Sequence, residues 1–348
     1  MLISMPRTKQ DDAAKAPVLV TGATSALGRA LAYRLASMGH EVRALLRRHP
    51  SQHQEWKALP KGVKVYIGDV SEPSEGLREA CSGVSIMFHV AGVTRNYAAY
   101  ESRKPGINTM INTNVVGTEN MLDAFAGANP GRKLRVVYAS SMAVYGHKRS
   151  GEVLTEESRA APDDRYGRSK FMAEQVISQF SKAHRNLSYT IFRIGVIYGQ
   201  GYDENFNQVY RLISEGKMRY IGNGENHLTL VHIDDVVDSM ISAAFSDRAR
   251  DRTYNLTDGV PYTQKGLIDK AARLIGSKKE IKGIHPVLAR IGAKAKGIDE
   301  EQMMFLISDR IVSIKRAKAD LGFSPRHTID SEGVRMAREF RKTTHNKK

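Results

Sequence analysis

The segment from Val18 to Ala32, VLVTGATSALGRALA, constrains the fold of this chain more than any other stretch. A short run of apolar residues, rich in valine, leads directly into a turn of small residues, and an amphipathic pattern follows. Gly22 permits a sharp turn, and Gly28 permits a new helix to lie close on the strand that precedes it. This order predicts a buried parallel strand, a tight turn and a helix whose first N–H groups can bind an anion such as a pyrophosphate. A tight connection without a ligand is the alternative.

Strand and helix patterns alternate from about Pro17 to Ile194, which predicts an α/β fold with right-handed crossovers and a doubly wound parallel sheet. Five further strands are expected in the segments EVRALLRR, VKVYIGDV, VSIMFHVAG, LRVVYASS and LSYTIFRIG. Helices are expected in NTNVVGTENMLDAFAGA and YGRSKFMAEQVISQF. Ligands bind such sheets at the carboxyl ends of the strands, so the residues that follow each strand are the candidate site residues.

A length of 348 residues exceeds what one simple core usually supports, so a main domain with a smaller lobe is expected. Beyond Gly195 the pattern loosens into Gly-rich loops and shorter helices. A helix capped by Asp234 or Asp235 is expected to return the chain to the main domain. The predicted units are a polar tail at 1–15, a dinucleotide-binding domain at 16–195 joined by 230–258, a C-terminal α/β substrate lobe at 196–229 and 259–340, and a frayed basic tail at 341–348.

The net charge of +16 admits nucleic acid, an anionic membrane surface or an anionic small molecule as a partner. The sequence has no helix-turn-helix spacing, zinc ligands or aromatic RNA-binding signature, so nucleic-acid binding is not expected. The single cysteine, Cys81, excludes an internal disulfide and fits a reducing compartment. No apolar run reaches the roughly 18 residues of a spanning helix. The segment MLISMPRTKQDDAAK lacks an apolar signal region, and the expected location is therefore the cytoplasm.

The end of the second strand predicts which nicotinamide cofactor is bound. A dehydrogenase that prefers NAD usually presents an acid there to the ribose, roughly 20 residues after the glycines. This chain has Arg47 and Arg48 at that point and no acid. Because guanidinium groups match the 2′-phosphate of NADP, NADP is the expected cofactor and NAD the alternative.

Tyr166 and Lys170 are the candidate proton-transfer pair. A tyrosine and a lysine four residues apart on a helix share one face. The ammonium stabilises the phenolate and lowers the pKa of the tyrosine, which makes it a usable general acid or base. Tyr100 and Lys104 have the same spacing, but Pro105 argues against a continuing helix there. The helix that Tyr166 begins has an apolar stripe, which leaves Tyr166 and Lys170 at its exposed start.

Ser141 ends the predicted fifth strand in VVYASSMAVYG. A hydroxyl at that edge can donate to a substrate oxygen and hold it against the tyrosine. A strand-end serine that bonds its own backbone is the alternative.

Nine segments resemble, in their order along the chain, those of the extended short-chain dehydrogenase/reductase family. They run from Val18 to about Pro325 and cover nearly the whole chain. Within this family, the chain resembles the NAD-dependent epimerases/dehydratases and the 3-beta-hydroxysteroid dehydrogenase and dihydroflavonol reductase types. Ser25 departs from the pattern, because the family usually has a glycine there. The segments are TGATSALG, GDV, HVAG, NVVGT, ASSMAVYG, YGRSK, RIGVIYGQG, VHIDDV and LGFSP.

The resemblance implies roles for individual residues. Tyr166 would be the general acid/base, Lys170 would bind the nicotinamide ribose and lower the tyrosine pKa, and Ser141 would orient the substrate. Asp69 would accept a hydrogen bond from the adenine amine. A homodimer is also implied, because dimers are common in the family. The expected cofactor-binding residues are Gly22, Ser25, Ala26, Leu27, Gly28, Arg47, Arg48, Asp69, Val70, Ala91, Gly92, Asn114, Tyr166 and Lys170.

The reaction is less constrained than the fold. The family contains dehydrogenases/reductases, and also nucleotide-sugar epimerases and dehydratases that return the hydride to the substrate. The latter usually carry an arginine shortly before the HxxD segment, where this chain has Leu228 and Thr229. We therefore expect hydride transfer between nicotinamide and a secondary alcohol or ketone. An epimerase or dehydratase with tightly bound cofactor is the first alternative, and a non-catalytic dinucleotide-binding sensor or assembly subunit is the second.

Two further sets of residues have competing interpretations. Some positively charged side chains could bind a diphosphate in place of the missing arginine, or could simply be solvated. They are Arg95, Arg103, Lys104, Arg211 and Arg219. The segment IHPVLARIGAKAKG is compatible with a membrane surface, although packing within the lobe is the favoured interpretation. Histidines 89, 147 and 232 show no metal-ligand spacing, so no metal is expected, and His89 is interpreted as a core residue.

Overall fold

A parallel sheet of seven strands forms the centre of the computed structural model, which describes residues 16–49, 51, 56, 59–94, 107–295 and 307–345. The strands of the described residues are β1 Val18–Thr21, β2 Val42–Leu46, β3 Val63–Ile67, β4 Ile86–His89, β5 Leu134–Ser141, β6 Lys148–Leu154, β7 Leu187–Ile194, β8 Val196–Tyr198, β9 Arg219–Ile221, β10 His227–Leu228, β11 Leu230–His232, β12 Arg252–Leu256, β13 Tyr262–Thr263, β14 Lys282–Ile284 and β15 Asp309–Val312.

Helices connect these strands and cover both faces of the central sheet. A π-helical turn at Asn112–Val116 joins α3 to α4. The α-helices are α1 Ala26–Ser37, α2 Glu75–Cys81, α3 Ile107–Ile111, α4 Gly117–Gly127, α5 Arg165–Ala183, α6 Asp203–Glu215, α7 Ile233–Ala244, α8 Gln264–Ile275, α9 Pro286–Ala295, α10 Lys315–Leu321 and α11 Ile329–His345.

The strand order of the central sheet is β3-β2-β1-β4-β5-β7-β12, and every neighbouring pair is parallel. The order reverses between β1 and β4, which creates a crevice at their carboxyl ends. The expected doubly wound parallel sheet is confirmed, and so are the five further strands expected up to Ile194. The strand β12 was not predicted, because a five-residue segment, RTYNL, carries little periodic signal.

Two apolar clusters lie on opposite faces of this sheet. In β1, Val20 contributes to the cluster that packs against α1 and α7, and Leu19 contributes to the cluster that packs against α2, α4 and α5. Successive residues of a strand point to opposite faces, so an apolar strand such as VLVT requires helices on both sides. This layering holds the carboxyl edge of the sheet in a fixed geometry.

A third cluster joins α6, α8 and α11 through side chains such as Tyr210, Ile268 and Phe340. Short strand pairs, β9 with β14 and β10 with β13, lie in the same part of the chain. The segment 314–323 differs from the expected lobe, because Ile314 and Phe323 join the cluster of the main sheet.

Three local expectations are wrong. The cap of α7 is His232, whose ring nitrogen accepts from the Asp234 N–H at 3.2 Å, so Asp234 and Asp235 lie in the first turn instead. Carboxylates in a first turn also stabilise a helix, which explains why the sequence pattern misplaced the cap by two to three residues. The basic tail is not frayed from residue 341, since α11 continues to His345.

The apolar side chains of α9 are the third departure. Val287, Leu288 and Ile291 are 55, 58 and 63% exposed, so the expectation that they pack within the lobe is wrong. Contact with a membrane surface stays a prediction. None of the helices among the described residues is long and apolar enough to cross a membrane.

Candidate active site

The turn between β1 and α1 is built from backbone that approaches backbone closely. Gly22 has a φ of +64°, and a Cβ there would lie 2.6 Å from the Ala91 nitrogen. A Cβ on Gly28 would lie 2.3 Å from the Gly22 oxygen, so neither position tolerates a side chain. Ser25 caps α1, accepting from the Gly28 N–H at 3.0 Å and donating to the Gly22 oxygen at 2.8 Å. Ser25 therefore replaces the family glycine with a side chain that stabilises the same turn.

The start of α1 is suited to an anion. Ala26 and Leu27 form its first turn, where backbone N–H groups have no partner within the helix. That turn contains no acidic residue. Because α1 begins directly after the carboxyl end of β1, its positive end lies at the carboxyl edge of the sheet, and no acid in the first turn neutralises it.

The next two strands end in polar residues at the same edge. Arg47 and Arg48 follow β2 directly and are exposed. Asp69 follows β3, is half-buried, and accepts from the N–H and hydroxyl of Ser71 at 2.9 and 2.7 Å. Val70 is buried and packs against Gly117 at the start of α4. These residues stand where the sequence predicted them, and their contact with a cofactor stays a prediction.

A buried polar chain lies beneath the crevice. The ring of His89 bonds the Thr21 hydroxyl at 2.8 Å and the Thr118 hydroxyl at 2.9 Å. The Thr118 hydroxyl then donates to the Asn114 backbone oxygen at 2.7 Å. Burial and the nearby charge of Lys170 lower the pKa of His89 to about 3, so its ring is neutral. The interpretation of His89 as a satisfied core residue is confirmed.

Asn114 lies in the π-helical turn and connects three parts of the site. Its side chain accepts from the Val93 N–H at 2.7 Å and donates to the Val93 oxygen at 3.1 Å and the Ser169 hydroxyl at 2.9 Å. The Ser169 hydroxyl donates to the Tyr166 backbone oxygen at 2.8 Å. A Cβ on Gly92 would lie 3.1 Å from both the Asn114 Oδ1 and the Lys170 Nζ, so only glycine leaves that space open. The turn therefore ties the strand end after β4 to α5.

Tyr166 and Lys170 occupy the first turns of α5. Asp164 caps this helix, and its carboxylate accepts from the Gly167 N–H at 2.5 Å. Tyr166 is half-buried. Lys170 is only 4% exposed, so the expectation that both residues lie at an exposed helix start is wrong for Lys170.

The Lys170 ammonium is buried but has polar partners. It donates to the Ala139 oxygen at 2.8 Å and to the Tyr138 hydroxyl at 3.3 Å, and it lies 4.8 Å from the centre of the Tyr138 ring. Burial lowers the pKa of Lys170 to about 8, although the Glu174 carboxylate opposes this shift. The same burial, with the charge of Tyr166, raises the pKa of Tyr138, so Tyr138 stays a neutral hydroxyl.

A buried ion pair lies one turn beyond Lys170. The Glu174 carboxylate bonds the Arg193 Nη2 at 2.8 Å and the Ser140 hydroxyl at 2.5 Å. Ser141, the next residue, ends β5, and its hydroxyl accepts from the Ala143 N–H at 3.2 Å. That bond agrees with the alternative of a serine bonded to its own backbone, and it leaves the hydroxyl proton available to a substrate oxygen.

Sequence reasoning missed the supporting residues of this site. Thr21 and Thr118 stand inside the quoted segments TGATSALG and NVVGT, so the segments contained them without indicating their contact. Ser169 stands inside YGRSK in the same way. Tyr138 and Arg193 stand inside LRVVYASS and RIGVIYGQG, again without any indication of their contacts, because their partners lie on α5. Glu174 carried no signal, since its partners lie on β5 and β7. The second tyrosine–lysine pair, Tyr100 and Lys104, lies outside the described residues, as do Arg95 and Arg103. Arg211 and Arg219 are exposed.

Two groups of histidine and acidic side chains lie together among the described residues. In the first, which also contains Asp234, the rings of His232 and His327 stack at 4.1 Å with an interplanar angle of 26°. In the second, His147 bonds Asp163 through Nδ1 and Asp164 through Nε2. The two ring nitrogens of His147 are thus each engaged by a carboxylate, and the expectation that no metal is bound stays a prediction.

The chain is similar to known reductases and epimerases along most of its length. Over 342 residues the chain is 26% identical to a 2-alkyl-3-oxoalkanoate reductase of Stenotrophomonas maltophilia, covering 91% of this chain and 97% of that protein. It is 22% identical to a UDP-glucose 4-epimerase of Vibrio cholerae, covering 93% of this chain and 95% of the epimerase. The solved structure of MoeE5 in complex with UDP-glucose and NAD matches with a TM-score of 0.71 at 24% identity, over 94% of this chain and 99% of that one.

The model of one protein family matches residues 18–257, which is more than half of the chain. The matched residues include the glycine turn, the π-helical turn, the end of β5 and the start of α5. The chain therefore belongs to the NAD dependent epimerase/dehydratase family.

Proposed function

We propose that this protein is an NADP-preferring oxidoreductase that transfers a hydride between nicotinamide and a secondary alcohol or ketone. The observation that carries the proposal is the buried Lys170 ammonium, which is fixed on the Ala139 oxygen one helical turn from Tyr166. An ammonium in that position favours the phenolate of Tyr166, so the tyrosine can release or accept a proton near working pH.

The residues at the carboxyl edge fit a dinucleotide. The first turn of α1 carries no carboxylate, and Gly92 leaves open the space beside Lys170 and Asn114 that a Cβ would fill. We assign the pyrophosphate to the β1–α1 turn, the adenine to Asp69 and Val70, and the nicotinamide ribose to Lys170. When bound, the nicotinamide supplies or accepts the hydride.

The remaining chemistry belongs to the chain's own side chains. Tyr166 donates a proton to the carbonyl oxygen in reduction and removes it from the alcohol in oxidation. The Ser141 hydroxyl donates a hydrogen bond to the same oxygen and orients it. Lys170 holds its charge near the phenol, and Asn114 bonds the Val93 backbone oxygen and the Ser169 hydroxyl. We place the substrate against the lobe formed by α6, α8 and α11. We also propose that the protein is a homodimer, and light scattering measures this oligomeric state.

The segment before the HxxD motif supports a reductase over a nucleotide-sugar enzyme. Leu228 lies in β10, paired with Tyr262 of β13, and Thr229 is buried. Neither side chain carries a positive charge that could bind a diphosphate. The neighbouring His227 is engaged with Asp309 at 2.9 Å. The similarity to a UDP-glucose 4-epimerase keeps epimerisation as the second candidate.

The first experiment identifies any nucleotide that the freshly purified protein releases on denaturation, by mass spectrometry. An enzyme that regenerates its cofactor in each cycle can retain it, whereas a dehydrogenase must exchange it. An empty site that binds NADPH more tightly than NADH supports the reductase, and a ketone screen follows. Near-stoichiometric NAD supports the epimerase or dehydratase instead.

Arg47→Ala tests the choice of cofactor. We expect the Kd of NADPH to rise about 10- to 100-fold, since one charge-assisted hydrogen bond to the 2′-phosphate is lost, while the Kd of NADH hardly changes. Fluorescence titration measures both. Lys64→Ala on β3, whose exposed ammonium bonds Glu41, is the control for a simple loss of surface charge. Equal effects on the two cofactors would contradict the assignment.

The pH dependence follows from the pKa of Lys170, about 8. Below that pH the ammonium is charged and supports the phenolate. We therefore expect kcat/KM for reduction of the ketone to fall as pH rises through about 8. Lys170→Arg keeps its charge and should lose this step in whatever activity it retains. The contribution of Lys170 to the free energy of unfolding changes with pH in the opposite direction to kcat/KM. The folded state holds this proton less tightly than the unfolded state, so the contribution rises from about pH 8 to the ordinary lysine range.

A further inference from the structure

His147 connects the loop after Ser141 to the start of α5. Its side chain is fully buried, with Nδ1 2.5 Å from the Asp163 Oδ1 and Nε2 3.1 Å from the Asp164 Oδ2. The His147 backbone N–H also donates to the Asp163 Oδ2 at 3.0 Å. Two consecutive carboxylates therefore hold one imidazole from two sides.

Both contacts are hydrogen bonds only if both ring nitrogens carry hydrogen. A neutral imidazole has one N–H donor, whereas the imidazolium has two. The arrangement thus favours a charged His147 between Asp163 and Asp164. Burial raises the pKa of Asp163, but its hydrogen bonds to His147 and the histidine charge outweigh this and lower it.

The inner carboxylate of this group is the cap of the helix that carries Tyr166. Asp164 bonds His147 through Oδ2 and accepts from the Gly167 N–H through Oδ1. A Cβ on Gly167 would lie 2.5 Å from the Ala143 oxygen, so the first turn of α5 lies directly on the loop that follows Ser141. His147 therefore bonds the residue that sets where α5 begins.

The loop itself is fixed from its other side. The Arg310 Nη1 donates to the Met142 oxygen at 2.9 Å and the Gly146 oxygen at 3.2 Å. The Asp309 N–H donates to the His147 oxygen at 2.8 Å. With β15 holding the loop and His147 holding Asp164, the segment of Ser141 and the turn of Tyr166 are joined through a rigid connection.

We infer that His147 is a positioning residue, which through Asp164 fixes the first turn of α5 so that the Tyr166 phenol faces the substrate oxygen oriented by Ser141. The inference rests on the proposed role of Tyr166 as general acid/base. Nothing about His147 in the sequence indicates this, since its partners lie 16 and 17 residues further along the chain. A misplacement of about 1 Å at a reacting group lowers turnover strongly, which is why a cap contact can control rate.

His147→Gln tests the inference without a cofactor. Glutamine keeps one polar contact but cannot bridge the two carboxylates. We expect hydrogen exchange of the Gly167 amide to accelerate about 10- to 100-fold, because the cap loses a bond to a charged group, while the second half of α5 is unchanged. His327→Gln is the matched control, since His327 bonds the Asp235 carboxylate at 3.3 Å in the first turn of a different helix, α7. Equal exchange in the two variants, or acceleration throughout the protein, would overturn the inference.

Asp164→Asn is the second variant, in case the first does not fold. Asparagine still caps the helix but cannot hold the imidazolium by charge. The same local acceleration is expected, and in the His147→Gln/Asp164→Asn double variant the two effects should not add. Additive effects would mean that the two residues act separately and would contradict the inference.

Turnover of ethyl acetoacetate with NADPH provides the catalytic readout. In His147→Gln we expect kcat to fall about tenfold or more with KM for NADPH little changed. An unchanged kcat in His147→Gln, beside a large loss in Tyr166→Phe, overturns only the positioning role. If the wild type does not reduce the probe, or Tyr166→Phe loses nothing, the proposed function fails, and hydrogen exchange still decides whether His147 fixes α5.

Discussion

Replacing Tyr166 with phenylalanine is expected to lower kcat by about 10²- to 10⁴-fold, the usual contribution of a positioned general acid or base. The phenylalanine ring fills the same space, so the start of α5 and its Asp164 cap remain. The Lys170 ammonium keeps its bond to the Ala139 oxygen, because that bond does not involve the tyrosine. Affinity for NADPH should therefore change little, and the loss should be confined to turnover.

Steady-state rates and a fluorescence titration of NADPH measure the two quantities separately. Tyr189→Phe is the matched control, since Tyr189 is half-buried on β7 and its hydroxyl lies 3.5 Å from that of Ser178, away from Lys170. A dinucleotide sensor would give a different outcome. In that case Tyr166→Phe would leave cofactor-dependent partner binding intact and no turnover would exist to lose.

The parts of this site that the sequence predicts are those determined by local spacing. Gly22 and Gly28 are required by a turn that forms within a few residues, and Tyr166 and Lys170 share a helix face by periodicity alone. Arg47 comes directly after the apolar run that predicts the second strand. Each of these positions was assigned without knowing which strands are neighbours.

The supporting contacts are different, because they join residues that are distant in sequence. Thr21 and His89 are 68 residues apart and meet only because β1 and β4 are adjacent. Asn114 reaches Ser169 across 55 residues from within a π-helical turn, a conformation that a pattern of period 3.6 does not predict. The burial of Lys170 was missed for the same reason, since the partners of its ammonium, Tyr138 and Ala139, belong to β5.

The cap of α7 shows a limit of a different kind. Aspartate is favoured both as a cap and in the first turn, so the segment HIDD offers several adjacent starting points. The structure begins the helix after His232, because β11 continues to that residue and leaves its backbone extended. Tertiary pairing decided between local preferences of similar strength.

Breaking the buried ion pair of Glu174 and Arg193 is expected to have the second large effect, on the stability of the fold. Glu174→Gln is expected to lower the free energy of unfolding by about 3–5 kcal/mol, because it leaves a buried guanidinium without its counter-charge. Arg193 is 7% exposed, and although burial alone lowers the pKa of its guanidinium, Glu174 keeps that pKa raised. Denaturant unfolding measures the loss. Glu41→Gln, which breaks the exposed pair with Lys64 at 3.1 Å, should cost at most about 1 kcal/mol.

The same substitution also acts on catalysis through Lys170. The Glu174 carboxylate opposes the effect of burial on the lysine, so its neutralisation lowers the pKa of Lys170 further below about 8. The fall of kcat/KM with rising pH should therefore move to lower pH in Glu174→Gln and stay in place in Glu41→Gln. A Glu174→Met/Arg193→Met double variant removes both charges and should recover much of the lost stability, since no unpaired charge remains buried. Its pH profile should still be displaced, because the lysine regains no carboxylate. A double variant as unstable as the single one would show that Glu174 stabilises the fold through Ser140, not through Arg193.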